Sequence, residues 1–218
     1  MKVMIAVPTA DYVNAEFMRC LTKLCIHLAK EKVDFDLEII SGTLVYVARN
    51  RLAYRAIREK YTHVLWLDSD MTFGENILDD LSFCGKDVVC GAFVSRRPPF
   101  GPCVYTSIAD PANMKKVENF GSEPFRVDGC GMAAVLTSVK ALKTLLDEFG
   151  SIFTPMEEYG EDLAFCNRLK RCGIEIWCEP TVRPGHIAHI PVYAGEYLFG
   201  DRTEEEVNHH KRFGGSEE

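Results

Sequence analysis

A chain of 218 residues is long enough to fold into one sizeable domain and is short for two. Its hydrophobic residues, at 47%, and its charged residues, at 26%, lie in the usual range for a soluble globular protein. The net charge of −7 argues against a nucleic-acid-binding surface, and no apolar run in the sequence is long enough to span a bilayer.

Cysteine usage indicates the compartment. The chain has 9 cysteines, but none of them forms a Cys-x-x-Cys pair, which argues against a zinc-thiolate site. An odd number of cysteines without a disulfide framework is typical of a reducing compartment. The first residues carry one positive charge and no small-residue cleavage site, so we predict no signal peptide and a cytoplasmic protein.

Strand and helix patterns alternate in the first part of the chain. Short apolar runs indicate buried strands, and apolar residues spaced three or four apart indicate amphipathic helices. The order predicts a single α/β domain with a mostly parallel central sheet and helices on both faces. The predicted strands are Lys2–Val7, Phe35–Ile40, Val64–Leu67 and Asp87–Ala92, and the predicted helices are Asn14–Lys30, Leu44–Lys60 and Glu75–Phe83.

The regularity ends after residue 92. Residues 95–125 are rich in proline and contain short strand patterns such as Val104–Ile108, which we interpret as an inserted, substrate-facing region. The elements predicted after it are a helix at Ser138–Phe149, capped by Thr137 or Ser138, a helix at Glu161–Arg171 that ends before Gly173, a strand at Ile174–Cys178, and a charged helix and tail at 204–218.

Two carboxylates, Asp68 and Asp70, follow the third predicted strand and are separated only by Ser69. Ligands of open α/β sheets bind outside the carboxyl ends of the strands. Two acids so close repel each other unless a cation lies between them, and Mg²⁺ or Mn²⁺ is commonly held by carboxylates together with substrate phosphates. We therefore predict a metal and phosphate site, although a solvated turn is the simpler alternative.

The turn after the first strand, Pro8–Tyr12, has no Gly-x-Gly-x-x-Gly, and the chain has no P-loop. These absences argue against a dinucleotide dehydrogenase and a P-loop nucleotidase. Thr9, Asp11 and Tyr12 can hydrogen-bond to a nucleotide and stack on its base, but alone the turn is an ordinary strand–helix connection.

Four arginines follow on the second helix, of which we assign only Arg49 to a phosphate and interpret Arg51, Arg55 and Arg58 as a solvated face.

Acidic residues also open the helix that follows Gly160. Glu161 and Asp162 fit the positive end of the helix dipole, which is a purely structural explanation, but a carboxylate in this place can also act as a general base. Asp128 lies beside two glycines that allow close approach of a substrate. His186 and His189 follow the last predicted strand, where a neutral imidazole can complete a metal shell begun by the two aspartates.

Taken in order, these segments resemble a GT-A nucleotide-sugar glycosyltransferase of the DxD type. The matching segments are Pro8-Thr9, Ala48-Arg49-Asn50, Asp68-Ser69-Asp70, Asp128 to Met132, Gly160-Glu161-Asp162 and His186. The resemblance covers roughly residues 2–190 and is to the small stand-alone members, some of which are encoded by viruses and phages.

The resemblance implies a role for each residue and a metal-dependent transfer of a hexose or deoxyhexose from a UDP-sugar to a glycan or other hydroxyl acceptor. Residues 1–92 would form the nucleotide-binding half, 93–200 the acceptor and metal-completing half, and 201–218 a charged helix and tail. The implied Mn²⁺ or Mg²⁺ ligands are Asp70, Asp68 and His186, with His189 as the alternative to His186. The implied nucleotide contacts are Pro8, Thr9, Asp11, Ser41, Arg49, Asp68 and Ser69. Asp162, with Glu161, would deprotonate the acceptor in an inverting reaction, and Arg96, Arg97 and Asp128 would contact the diphosphate or acceptor.

Two other functions remain open from the sequence. Asp68 to Thr72 fits the Asp-x-Asp-x-Thr motif of haloacid-dehalogenase-type phosphohydrolases, in which the first aspartate is a covalent nucleophile. That motif usually follows the first strand, however, whereas here two strand–helix units precede it. The other alternative is a non-catalytic module of the same fold that binds a nucleotide sugar. The sequence leaves the sugar, the acceptor and the stereochemical outcome undetermined.

Overall fold

The computed structural model describes residues 1–97 and 100–188. The first half contains β1 (Lys2–Pro8), α1 (Ala15–Lys30), β2 (Asp34–Ile40), α2 (Val45–Arg58), β3 (His63–Leu67), β4 (Met71–Thr72), α3 (Ile77–Phe83) and β5 (Val88–Gly91). The second half contains β6 (Val104–Ser107), β7 (Lys115–Lys116), β8 (Phe125–Val127), β9 (Gly129–Cys130), β10 (Ala134–Ser138), α4 (Val139–Phe149), α5 (Glu161–Arg171), β11 (Ile176–Glu179) and β12 (Gly185–His186).

The predicted strand and helix order of the first half is confirmed, with boundaries that differ by at most a few residues. The predicted helix at 204–218 and the candidate ligand His189 lie outside the described residues. None of the described helices combines the length and the apolar composition that crossing a membrane requires.

The central sheet has the order β2-β1-β3-β10-β5-β11-β8. β1 pairs in parallel with β2 and β3, and β5 pairs in parallel with β11. β10 is antiparallel to both β3 and β5, so these two strands run in the same direction, and β8 is antiparallel to β11. Five strands therefore share one direction, as predicted for a mostly parallel α/β sheet.

The central strand β10 was not predicted. All of its residues, Ala134–Ser138, are buried, and α4 follows it without a turn, so the sequence shows no break between the two elements. Ser138 is both the last residue of the strand and the N-cap of the helix, where its Oγ accepts a hydrogen bond from the Ala141 N–H at 3.1 Å. This confirms Ser138, rather than Thr137, as the predicted cap.

Helices cover both faces of the sheet because successive strand residues point to opposite sides. On β1, Met4 and Ala6 pack in the apolar core that includes residues of α2, α4 and α5. Val3, Ile5 and Val7 pack in the core on the other face, with residues of α1 and α3. Burial on both faces explains why the strands have continuous rather than alternating apolar runs.

Two small sheets lie beside the central one. β12 pairs with β4 and forms a short antiparallel ribbon, while β6 pairs with both β7 and β9. β4 begins directly after Asp70, and β9 directly precedes the segment that leads into β10. Both small sheets therefore connect to the strand ends at which the sequence predicts a site.

A buried hydrogen bond joins β3 to the unpredicted strand: Trp66 Nε1 donates to Thr137 Oγ1 at 2.9 Å. We expect Thr137→Val to lower the free energy of unfolding by about 1–3 kcal/mol, because the indole N–H loses its partner in a place that water does not reach. Urea denaturation measures the change. Thr144→Val is the control, because Thr144 is exposed and bonds only to its own helix, and it should change stability by less than about 0.5 kcal/mol. Equal effects of the two changes would contradict the assignment.

Candidate active site

The carboxyl ends of β1 and β3 open onto a cleft of about 600 Å³. This volume is within the range of small-molecule sites. The segment after β1 and the segment after β3 meet at the cleft, where Thr9 Oγ1 donates to Ser69 Oγ at 3.0 Å. The lining residues are Pro8, Thr9, Ala10, Tyr12, Val13, Asn14, Thr43, Leu44, Val45, Asp68, Ser69, Asp70, Arg96 and Ile187.

A buried arginine organises the acids behind the cleft. Arg49 is 1% exposed, and its guanidinium reaches carboxylates from two distant segments. Nη2 donates to Asp68 Oδ1 at 2.8 Å, and Nη1 donates to Asp162 Oδ1 at 2.6 Å and to Glu161 Oε1 at 3.0 Å. The end of β3 and the first turn of α5 are therefore held on one side chain of α2.

The charges of this cluster alter the pKa values of Arg49 and Asp162. Burial opposes the charge of Arg49, but Asp68, Asp162 and Glu161 together raise the pKa of Arg49 above its usual range. Burial raises the pKa of Asp162 to about 6, and the neighbouring carboxylates add to this rise while Arg49 opposes it. Asp162 therefore changes protonation close to neutral pH, as a general base is expected to do.

Asp70 lies at the mouth of the same cleft and has different partners. Its Oδ2 accepts a hydrogen bond from Arg96 Nη1 at 2.5 Å and lies 3.4 Å from His186 Nε2. Burial opposes ionisation of Asp70, but His186 and Arg96 lower the pKa of Asp70 overall, while the contact with Asp70 raises the pKa of His186. The predicted metal ligands Asp70 and His186 are thus adjacent.

The β4–β12 ribbon brings these two residues together. His186 is paired with Met71, the residue after Asp70, and the Ile187 N–H donates to the Asp70 carbonyl at 2.8 Å. A Cβ at position 185 would lie 2.5 Å from Thr72 Oγ1, so any residue other than glycine would require the Thr72 hydroxyl to move. His186 Nδ1 lies 2.9 Å from the carbonyl oxygen of Val94.

Asp162 and Glu161 line a second, smaller cavity of about 240 Å³. A Cβ on Gly131 would lie 3.0 Å from the Phe93 ring and 3.6 Å from Asp162 Oδ2, so a larger residue at this position would crowd the cavity. The remaining lining residues are Cys103, Tyr105, Gly131, Gly160 and Leu163. Arg49 therefore joins the acid of the cleft to the acid of this cavity, with Asp68 on Nη2 and Asp162 on Nη1 of one guanidinium.

Several predicted site residues have other positions. Asp11 and Ser41 are exposed and do not line the cleft, where Thr43 and Leu44 lie instead. Arg49 was predicted to contact the nucleotide, but its guanidinium is taken up by carboxylates. Asp128 forms an ion pair with Lys170 at 2.6 Å and lines neither the cleft nor the second cavity.

Arg97, also predicted to contact the diphosphate or acceptor, is exposed and lines neither space, and its backbone N–H donates to Ser95 Oγ. Arg96 is the arginine of this pair that reaches the cleft.

Sequence reasoning missed part of both cavities. Leu44 is 64% exposed at the N-cap of α2 and makes no side-chain cap hydrogen bond. An N-cap position usually carries Ser, Thr, Asp or Asn, so the apolar Leu44 there was the signal that could have indicated a cleft residue. Cys103 and Tyr105 had no comparable signal, because only the tertiary structure brings β6 to the start of α5.

The residues fit a divalent cation that is shared with a ligand better than one held by protein alone. Within residues 1–97 and 100–188, no three His, Cys, Asp or Glu side chains are placed to hold a metal. Asp68 is bonded to Arg49. Asp70 and His186 remain, and the Nδ1 contact of His186 with Val94 leaves its Nε2 facing Asp70. Metal-ligating histidines usually have such a carbonyl partner, and Mg²⁺ often takes only one or two carboxylates plus phosphate oxygens.

Comparison with known proteins identifies the fold. No protein-family model matches the sequence, and no curated protein matches it. The crystal structure of A197 from STIV matches with a TM-score of 0.60 at 19% identity over 87% of each chain. GalNAc-T7, crystallised with UDP, GalNAc and Mn²⁺, matches with a TM-score of 0.58 at 10% identity, over 96% of this chain and 48% of its own. The chain therefore has a GT-A-like fold, and it spans about half the length of GalNAc-T7.

Arg49→Met tests the electrostatic role of the buried guanidinium. We expect it to lower the free energy of unfolding by about 3 kcal/mol near pH 8, because three acids lose their shared cation. The loss should shrink at about pH 5, since Asp162, whose pKa is about 6, is then mostly protonated and adds less to the repulsion among the acids. Urea denaturation at both pH values measures this.

Arg51→Met is the matched control on the same helix, because Arg51 is exposed. It should change stability by less than about 0.5 kcal/mol at either pH. A pH-independent loss in Arg49→Met would mean that packing, rather than charge, accounts for the effect.

Proposed function

We propose that this protein is a metal-dependent glycosyltransferase that moves a sugar from a nucleoside diphosphate donor to an acceptor hydroxyl. The observation that supports this most strongly is the shared guanidinium of Arg49, which holds Asp68 at the large cleft beside Asp162 at the smaller cavity. A donor in the cleft and an acceptor in the cavity would then meet at the boundary between them. The fold likeness to a glycosyltransferase is consistent with this arrangement.

The cleft is the proposed donor site. Pro8, Thr9 and Ser69 would contact the nucleoside, and Tyr12, which is 89% exposed at the rim, offers a ring on which a base can stack. Asn14 and Leu44, the N-caps of α1 and α2, both line the cleft, so two helix N-termini border it, which favours an anionic ligand. Since GalNAc-T7 was crystallised with UDP, a UDP-sugar is the donor class that we propose first.

Asp70 and His186 are the proposed protein ligands of Mn²⁺ or Mg²⁺, with Asp68 close to them. When bound, the cation would neutralise the charge that develops on the leaving diphosphate. Arg96, at the same mouth of the cleft, provides a guanidinium suited to the phosphate oxygens.

Asp162 is the proposed general base of an inverting transfer. The acceptor oxygen forms a bond to the anomeric carbon while the bond from that carbon to the diphosphate breaks, and the diphosphate leaves with the electron pair. The hydroxyl proton passes to the Asp162 carboxylate. A pKa of about 6 leaves most of this group ionised above pH 7, so it can accept the proton.

Nucleotide binding provides the first test. We expect the protein to bind UDP in the presence of Mn²⁺ and Asp70→Asn to weaken this binding at least about tenfold, because the proposed cation loses its charged ligand. Isothermal titration calorimetry measures both affinities. Asp147→Asn is the control, since Asp147 forms only an exposed ion pair with Lys143 on α4.

A protein that binds no nucleoside diphosphate with either metal would refute the proposed function. A beryllofluoride adduct on Asp68 would instead support the phosphohydrolase alternative, although the bond from Arg49 to Asp68 Oδ1 is an obstacle to nucleophilic attack by that oxygen.

The proposed base is tested by Asp162→Asn. Slow hydrolysis of UDP-sugars, in which water replaces the acceptor, can be followed across a donor panel. We expect Asp162→Asn to lower the rate about 10²- to 10⁴-fold while UDP binding is kept. In the unmutated protein the rate should rise with pH through about pH 6 and level off above about pH 7, since the base works in its ionised form, and the variant should lose this dependence.

Glu161→Gln is the matched control, because Glu161 bonds to the same guanidinium nitrogen as Asp162. It should reduce the rate less than about tenfold and keep the pH dependence. Equal losses in the two variants would mean that Asp162 only supports Arg49 and takes no proton.

A further inference from the structure

Each acid of Asp68-Ser69-Asp70 is paired with an arginine, but the two arginines differ in exposure. The side chain of Arg49, on Asp68, is 2% exposed, whereas that of Arg96, on Asp70, is 49% exposed. A buried guanidinium that is bonded to three carboxylates cannot move to another partner without losing these bonds. An exposed one with a single carboxylate partner can exchange it at little cost, since such pairs contribute little to stability.

The oxygen that Arg96 occupies is the one a cation would need. Asp70 Oδ2 accepts from Arg96 Nη1 and also faces His186 Nε2, so the two proposed ligand atoms and the guanidinium converge at one point. A divalent cation placed there would lie against the positive charge of Arg96. Two positive charges that share one carboxylate oxygen repel each other, so the cation and Arg96 compete for Asp70.

The backbone that carries Arg96 is anchored on both sides of the residue. Val94 pairs with Pro102 in a β-bridge, and the Ser95 N–H donates to the Gly101 carbonyl at 3.0 Å. The Val94 carbonyl also contacts His186 Nδ1. The backbone at Arg96 is therefore held near His186, the proposed metal ligand. A rotation of the Arg96 side chain alone is enough to expose the Asp70 carboxylate.

We propose that Arg96 is a resident counterion of Asp70, which keeps a divalent cation from binding alone and moves to the donor diphosphate when cation and nucleotide bind together. This inference rests on the proposed function. The diphosphate supplies the negative charge that Arg96 gives up at Asp70, and a guanidinium binds phosphate oxygens in a two-point geometry. Cation and nucleotide would then strengthen each other's binding, and the effect must be reciprocal.

The experiment measures Mn²⁺ binding to the full chain without nucleotide, by electron paramagnetic resonance of the free ion. We expect Arg96→Gln to bind Mn²⁺ about tenfold more tightly than the unmutated protein, since the competing charge is gone. Arg96→Lys keeps the charge and should bind Mn²⁺ as weakly as the unmutated protein. UDP affinity at saturating Mn²⁺ should fall in both variants. Because UDP itself binds Mn²⁺, all proteins are compared at the same concentrations of UDP and Mn²⁺.

Arg97→Gln is the charge-matched control, because it removes the same charge from the next residue, for which the described part of the chain shows no ion pair with Asp70. Its Mn²⁺ affinity should stay within about twofold of the unmutated value, and a tenfold gain would overturn the proposal, since any nearby positive charge would then suffice. Equal Mn²⁺ affinities in Arg96→Gln and the unmutated protein, with UDP and Mn²⁺ still binding together, would overturn it while leaving the proposed function intact. Absence of UDP binding in every protein would overturn both.

Discussion

The interaction on which the site depends is the bond between the Arg49 guanidinium and three carboxylates. A buried arginine is costly unless its charge is compensated, and here Asp68, Glu161 and Asp162 compensate it from two segments distant in the sequence. The Nε atom of Arg49 is buried and has no hydrogen-bond partner among the described residues. The carboxylates therefore provide the compensation, and their positions are fixed by it.

This constraint divides the acids of the site into two kinds. Asp68 and Asp162 are held from behind by a group that solvent does not reach, so their positions are set before any ligand arrives. Asp70 lies at the open side of the cleft, where its partners are His186 and the half-exposed Arg96. Under the proposed function, the fixed acids would align the reacting group, and the exposed partner of Asp70 could move to admit the diphosphate.

The strand-end acids could be predicted from sequence because their signal is local. An apolar run that stops at Asp68-Ser69-Asp70 indicates both the strand and the edge where its side chains emerge, and the structure places these residues there. The sequence offered both His186 and His189 as metal ligands, and only the family resemblance favoured His186. Its contact with Asp70 depends on the β4–β12 ribbon, whose strands are two residues long. A pairing that short leaves no periodic pattern to detect.

Non-local features could not be predicted. Arg49 and Arg51 lie on one helix and differ in burial because of what packs against each, so the sequence distinguished them only weakly. β10 was missed since a five-residue buried strand that runs directly into a helix resembles the helix's own apolar start. Asp128 was expected near a substrate on the strength of adjacent glycines, but Lys170, 42 residues later in the chain, is its partner.

The position of β10 also affects how the protein is made. This strand lies between β3 and β5, yet residues 134–138 are synthesised after both. Until they leave the ribosome, β3 and β5 have no strand to join them, and until α5 follows, Arg49 lacks two of its three counterions. The first 92 residues therefore contain Arg49, Asp68 and Asp70, but neither the strand that joins β3 to β5 nor the carboxylates of Glu161 and Asp162. The two halves of the fold must complete each other after most of the chain has emerged.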